Sequence, residues 1–461
     1  MSSPKRAAPA LAVLACLAAA TLGRLAEAAP PLDPGTAADA AAAAATPTAL
    51  APTDPRSLEG AARPGAAPPT AAPAPAAPAA FAAAPTAPAT PPSGPAPAAP
   101  PAPGSTFTVG GYVEAYYSYN FNNPSNGLTN LRAFDNRHNA ITLQNLVAEL
   151  GWEYDAVYAT GAIQFGQVGE TYYGVSEPAL RGSSGASPGG AEVFKHIQKA
   201  YLGWGPTKAL RLEAGLFLSP LGPESMPTHE NWTWSHSNLF FGLPFYHSGI
   251  RAGYDLSKRH NVRLGVYNGW NNALDNNAEK SVALEYTFTA SENLTFAAQY
   301  FTGVERPTGA LEGRAWRHLV DASVKVKVTP DLELVADVDA GVEPNRFGTS
   351  AWLAGLVAAR VRATRWLYLA GRQTMFAEKR AKQGLDVAEP IAIPVEWTTS
   401  TTATVDVRPV PHLSAKLEYR HDAAEAAVFY RSVVAGDGDA SPFVANARSQ
   451  DTLTLGLTAW F

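Results

Sequence analysis

Asp451-Thr452-Leu453-Thr454-Leu455-Gly456-Leu457-Thr458-Ala459-Trp460-Phe461 is the stretch whose reading decides the fold. Leu453, Leu455, Leu457, Ala459 and Phe461 share one parity, and Thr452, Thr454, Gly456, Thr458 and Trp460 the other. Side chains of a strand alternate between its two faces, so a period of two marks a strand with one apolar and one polar side. A closing strand on an aromatic tip suits a membrane barrel, where last and first strands pair and no edge remains. The partner is then the strand beginning near Thr106, with the leucines toward lipid and the threonines toward water.

The rest of the chain repeats the pattern. At Thr106 the composition turns to Tyr, Trp, Phe, Val and Leu in short alternating runs. About sixteen strands are expected, near 106–120, 139–154, 157–168, 193–205, 208–219, 245–257, 260–270, 280–290, 292–303, 315–329, 331–343, 350–361, 365–377, 396–409, 411–422 and 450–461. In Leu210-Arg211-Leu212-Glu213-Ala214 and Leu332-Glu333-Leu334 the charges share one face. An apolar outside and a polar inside over segments of roughly ten residues is the pattern of a transmembrane antiparallel barrel.

The connections alternate as well. Tight turns fall at 154–156, 205–208, 257–260, 290–293, 329–331, 363–364 and 408–411. Longer gaps lie between them, at 121–138, 169–192, 220–244, 271–279, 304–314, 344–349, 378–395 and 423–449. Short turns at one end and long loops at the other predict an even strand number with both termini in the periplasm.

The N-terminus reads as an export signal over residues 1–28: Lys5 and Arg6, an apolar run from Ala7 to Leu22, and the small-x-small site Ala26-Glu27-Ala28. Cys16, the single cysteine, lies within it, so the mature chain has no thiol to pair. Residues 29–104 are nearly all Ala, Pro, Thr and Gly, without large apolar groups to bury, which predicts a disordered periplasmic linker that could reach the cell wall. Residues 105–461 are the barrel domain. A net charge of −5 gives no basic field for nucleic acid, and no later run offers the apolar length of a membrane helix.

Between Val193 and Gly303 the chain resembles the β-barrel porin-2, OmpL-like family of outer-membrane porins. The resembling residues are Lys199-Ala200-Tyr201-Leu202-Gly203-Trp204, Glu213-Ala214-Gly215-Leu216-Phe217-Leu218-Ser219-Pro220-Leu221-Gly222 and Phe240-Phe241-Gly242-Leu243-Pro244-Phe245-Tyr246-His247-Ser248-Gly249-Ile250-Arg251. Val266-Tyr267-Asn268-Gly269-Trp270 and Asp275-Asn276-Asn277 complete the run. The resemblance implies a porin-type channel, with no catalytic residue and no established solute. In outer-membrane barrels as a class, a terminal Phe is what the insertion machinery takes, so Phe461 is its expected contact. The other expected partners are outer-membrane lipid and small hydrophilic solutes, and assembly as a homotrimer is open.

Parity then places the channel chemistry. Arg211, Arg251, Arg263, Arg317, Lys325, Lys327, Lys416 and Arg420 face the lumen, as do Glu213, Asp255, Glu285, Asp321, Glu333, Asp337, Asp339 and Glu418. Rings of one sign give strong ion selectivity; this balance predicts a weakly selective, water-filled pore. Lys325 and Lys327 are expected to pair with Glu333 and Asp337 across the hairpin at Pro330.

The gap 220–244 holds too many aromatics for a solvated loop. It predicts either an aromatic girdle at the membrane surface or a loop folded into the lumen. In the second case Glu224, His229 and Glu230 stand at a constriction and Trp232 and Trp234 form a rail suited to sugars. Spacing gives His229, His236 and His247 no metal pattern, and Asn271-Asn272 and Asp275-Asn276-Asn277 read as turn chemistry. No metal, cofactor or enzymatic motif is expected. A sugar-specific channel gated by this loop, or a barrel tethered to the cell wall, are the alternatives to passive diffusion.

Overall fold

The structure, a computed structural model, describes residues 104–173, 194–438 and 441–461. The expected signal peptide and nearly all of the expected linker lie outside the described residues.

Sixteen strands close into an antiparallel barrel. They are β1 (Thr106–Asn120), β2 (Ala140–Tyr154), β3 (Val157–Phe165), β4 (Ile197–Trp204), β5 (Leu210–Leu218), β6 (Tyr246–Ser257), β7 (His260–Tyr267), β8 (Ser281–Ser291), β9 (Leu294–Val304), β10 (Trp316–Thr329), β11 (Leu332–Asn345), β12 (Gly348–Arg362), β13 (Leu367–Lys379), β16 (Trp397–Val407), β17 (Leu413–Ala424) and β18 (Ser449–Trp460). Two short strands, β14 (Lys382–Gln383) and β15 (Asp386–Val387), form a separate hairpin in the loop after β13. Every expected strand is present, most within a few residues of its expected ends.

β18 closes the barrel on β1, with Leu457 opposite Ala115 and Leu453 opposite Tyr119. The pairing continues past the strand: Phe461 N–H donates to the Gly111 carbonyl at 3.1 Å, and Gly111 N–H donates back at 3.3 Å. Along β18, Leu453, Leu455 and Leu457 are exposed on the outer wall while Thr452, Thr454 and Thr458 are buried inside. Ile141, Leu150, Leu202, Ile250, Leu264, Leu284, Val320 and Leu417 extend the outer apolar band around the barrel. Closure gives each strand a hydrogen-bonded neighbour on both sides, the condition for a sheet in hydrocarbon.

The interior differs from a simple wet tube. Toward the long-loop end it holds an apolar core of Phe240, Phe241, Phe245, Trp270, Phe301, Leu319, Trp352, Phe376, Ile391, Ile393 and Phe429. These come partly from inner-wall positions and partly from the loops after β5, β7, β13 and β17, which turn inward and pack on the wall. Burying these rings removes apolar surface that a water-filled lumen would leave wet.

Candidate functional site: the loop-filled lumen

The loop between β5 and β6 enters the barrel rather than forming a girdle at its rim. Four inner-wall charges hold its backbone. Lys416 Nζ donates to the carbonyls of Thr228 (2.5 Å), Asn231 (2.6 Å) and Thr233 (3.3 Å). Glu418 accepts the N–H groups of Trp234 (2.5 Å) and Ser235 (3.1 Å). Arg420 donates to the carbonyl of His236 (2.6 Å) and to Asn238 Oδ1 (2.5 Å). Glu114, on β1, accepts from the N–H (2.6 Å) and hydroxyl (2.7 Å) of Thr228.

Within the loop, Glu224 accepts from Ser237 N–H (2.9 Å) and forms an ion pair with Arg372 of β13 (2.5 Å), which also donates to the Ser235 carbonyl (2.6 Å). The apolar contacts are equally specific. Trp234 is fully buried, tilted against Tyr116 at 6.2 Å, and lies where a Cβ at Gly456 would stand. His229 stacks on Trp460 at 4.6 Å.

His236 sits among the rings of Phe134 and Phe240, with Nε2 2.9 Å from the Ser225 carbonyl. Burial pushes its pKa below the usual histidine value, against the pull of Glu224 and Asp135, and Arg372 adds to the depression. Burial raises the Glu224 carboxyl, but Arg372 and the Ser237 bonds outweigh it and bring its pKa below the ordinary carboxylate value.

These two shifts fix a pH dependence. A docked loop with a neutral His236 binds fewer protons than a released one, so docking stability rises with pH. It is complete above about pH 6.5, the ordinary histidine value, and is lost progressively below it. Glu224 acts the same way in a separate window below about pH 4.5. Channel conductance is therefore expected to rise between pH 7.5 and 5.0. In His236→Gln, which keeps a neutral amide donor, that rise should shrink to the part carried by His229, whose pKa burial also lowers, while any rise below pH 4.5 remains.

What the loop leaves open is a cavity of about 270 Å³ between its Glu224–Thr233 stretch and the inner wall of β9 to β13. Glu230, Trp232, Ser323, Lys325, Val335 and Arg372 are among its lining. The Trp232 ring lies 5.2 Å from the Arg360 guanidinium and 5.7 Å from Lys325 Nζ, within cation–π range.

All sixteen charged residues singled out by parity lie on the inner face, but in different situations. Arg211 with Asp255 (3.9 Å), Arg251 with Glu213 (2.5 Å) and Arg263 with Glu285 (2.8 Å) pair across neighbouring strands. Lys325 and Lys327 remain exposed inside the barrel. Lys416, Glu418 and Arg420 are buried beneath the loop, and Arg317 is buried against Glu343 (2.6 Å). These four carry no water-facing surface because their charge is spent on backbone groups or on a buried partner.

Two expectations are corrected. The Lys325 and Lys327 pairs with Glu333 and Asp337 do not form: Arg360, from the next strand, takes the Glu333 carboxylate with Nε at 3.0 Å, and Asp337 joins Asp321 and Asp339. The Trp232–Trp234 rail does not form either, since Trp234 faces the wall and only Trp232 reaches the cavity.

Sequence reading passed over Glu114, Arg360, Arg372, Glu343 and Glu378. Each sits on the polar parity of its strand, and that signal was available. Glu378 accepts three successive N–H groups, Ile391 (2.5 Å), Ala392 (2.9 Å) and Ile393 (2.9 Å), and so holds the loop after β13 inside.

Residues 106–461 match the family described as "Putative beta-barrel porin-2, OmpL-like". The chain belongs to that porin family. Solved structures similar to this porin include the anion-selective porin from Comamonas acidovorans, 9% identical, covering 77% of this chain and 100% of that one, with a TM-score of 0.50. The outer membrane channel DcaP of Acinetobacter baumannii is 11% identical, over 78% of this porin and 98% of DcaP, with a TM-score of 0.48. OmpT of Vibrio cholerae is 10% identical, over 78% and 99%, with a TM-score of 0.46. No curated protein sequence gives a significant match.

Proposed function

We propose that this porin passes small hydrophilic solutes and ions by passive diffusion across the outer membrane, along the part of the lumen the inserted loop leaves free. The observation that carries this reading is the space between that loop and the β9–β13 wall, bordered by charged side chains rather than by a catalytic pair. Arg211, Asp255, Arg263, Lys325, Lys327, Glu333 and Arg360 are the pore-lining candidates, with Glu230 and Trp232 on the loop side. Five of these are basic and, counting Glu230, three acidic; both signs line the path, which supports weak selectivity with a modest preference for anions.

The short-turn end, where both ends of the barrel chain lie, is the periplasmic one in this proposal. Phe461 is the contact for the insertion machinery, and residues 29–104 serve as the tether to the cell wall. A homotrimer is the proposed assembly.

Purified protein in planar bilayers should give stepwise conductance. Absence of any steps would overturn the channel reading and leave the tether. Trp232→Ala should raise single-channel conductance modestly, by roughly less than twofold. It removes one ring from the cavity and frees Arg360 and Lys325, whose contacts with that ring are worth about 0.5–1 kcal/mol each where exposed. A sugar-specific channel would instead show saturable block by one sugar, abolished in this variant.

A further inference from the structure

Three aspartates on the inner wall meet midway along β10 and β11. Asp321 and Asp339 stand directly opposite each other, and Asp337 stands opposite Ser323. One carboxylate oxygen from each lies within 4.8 Å of the other two. All three residues are buried, at 0, 5 and 0% exposure for Asp321, Asp337 and Asp339. Their six oxygens have no hydrogen-bond partner among the described residues.

Such a cluster is costly as it stands. Close carboxylates cannot all remain ionised in a dry setting without a compensating charge. Elsewhere in this lumen the buried acids discussed above, Glu114, Glu285, Glu343, Glu378 and Glu418, are each met by at least one donor; these three are not.

A neighbouring neutral group has the same character. Gln299 lies directly opposite Asp321 on β9, on the same face, and is 8% exposed. Its Nε2 donates to the Pro220 carbonyl at 3.1 Å, which leaves Oε1 as the free end, and that oxygen is buried without a partner among the described residues.

We propose that Asp321, Asp337 and Asp339, completed by Gln299 Oε1, bind a calcium ion on the inner wall of the barrel. All the donors are hard oxygens, and three carboxylates with an amide oxygen supply the six to eight ligands calcium takes. Magnesium demands near-ideal octahedral geometry and keeps several waters, which a buried cluster of this kind does not favour. The ion neutralises a patch of the wall beside the cavity. Through Gln299 and Pro220 it also fixes the root of the inserted loop.

Isothermal titration of the full chain in detergent, stripped with EDTA and titrated with calcium chloride, tests this. Saturable binding of one calcium per chain is expected, with magnesium chloride binding at least about tenfold more weakly. Asp339→Asn and Asp337→Asn should each weaken calcium at least about tenfold, the low end for losing part of a metal site's support. Asp331→Asn, in the turn after β10, should leave binding unchanged.

No saturable heat from the wild type up to about 10 mM calcium, above the range of weak extracellular calcium modules, would overturn the site. So would binding that persists in the Asp321→Asn/Asp337→Asn/Asp339→Asn triple variant, or tighter binding of magnesium. The titration needs no conductance, so its failure leaves the diffusion channel standing, and failure of the channel reading leaves the ion site standing.

Discussion

Lys416→Met is expected to release the inserted loop and turn a narrow channel into a wide one. Methionine keeps most of the volume but leaves the carbonyls of Thr228, Asn231 and Thr233 without the ammonium that caps them. Each buried acceptor left unpaired costs about 1–3 kcal/mol. Three of them shift the ratio of docked to released loop by about 100-fold or more, at 1.4 kcal/mol per factor of ten. Single-channel conductance in planar bilayers should rise several-fold and become noisier. The barrel itself should persist, because the ladder pairs Lys416 with Asp406 and Gly456 through its backbone, which the substitution leaves in place; resistance to unfolding in cold detergent reads that separately. Unchanged conductance with an intact barrel would show that the loop is held elsewhere.

Gly456→Leu reaches the same loop from the apolar side. Glycine at this inner-face position leaves the space that the Trp234 ring fills, and any Cβ there collides with the ring. Leucine is well suited to a strand, so the ladder between β17 and β18 should survive while Trp234 loses its seat. Trp234 is fully buried, and evicting a large aromatic costs about 3–5 kcal/mol, as in truncations of buried Phe or Trp. The expected signature is quenched or red-shifted tryptophan fluorescence together with raised conductance. Gly456→Leu with Trp234→Ala should restore docking in part, since the smaller side chain accepts the new one. A double variant no better than the single would place the effect in the strand instead.

Both predictions rest on residues that alternation alone made visible. Lys416 and Glu418 belong to Leu413-Ser414-Ala415-Lys416-Leu417-Glu418-Tyr419-Arg420, and their inward facing follows from period two. Their inward face was legible; their partners were not. A lone strand says which side of the sheet a charge is on, but not whether water or a folded loop meets it there. The same holds for Lys327, where the hairpin partner Glu333 was the natural guess from sequence. Arg360, on the following strand, wins because its longer, forked side chain reaches the same carboxylate with two nitrogens. The aspartate cluster was hidden for a related reason: Asp337 and Asp339 are neighbours in sequence, but Asp321 and Gln299 join them only through the register of β9, β10 and β11.

The sequence by itself determined the strands, their two faces, the two kinds of connection and the closure of Leu453, Leu455 and Leu457 against β1. These follow from local alternation between lipid and interior, which each strand carries on its own. Tertiary structure alone decided what fills the interior. The loop carrying Trp232, Trp234, Phe240 and Phe241 could in principle have covered the rim, and its composition does not choose between rim and lumen. Its path inward is chosen by contacts far apart in sequence: Lys416, Glu418 and Arg420 under its backbone, Arg372 on Glu224, and the absent side chain of Gly456 beneath Trp234. Such contacts exist only once the barrel has closed and brought β1, β13, β17 and β18 around the same loop.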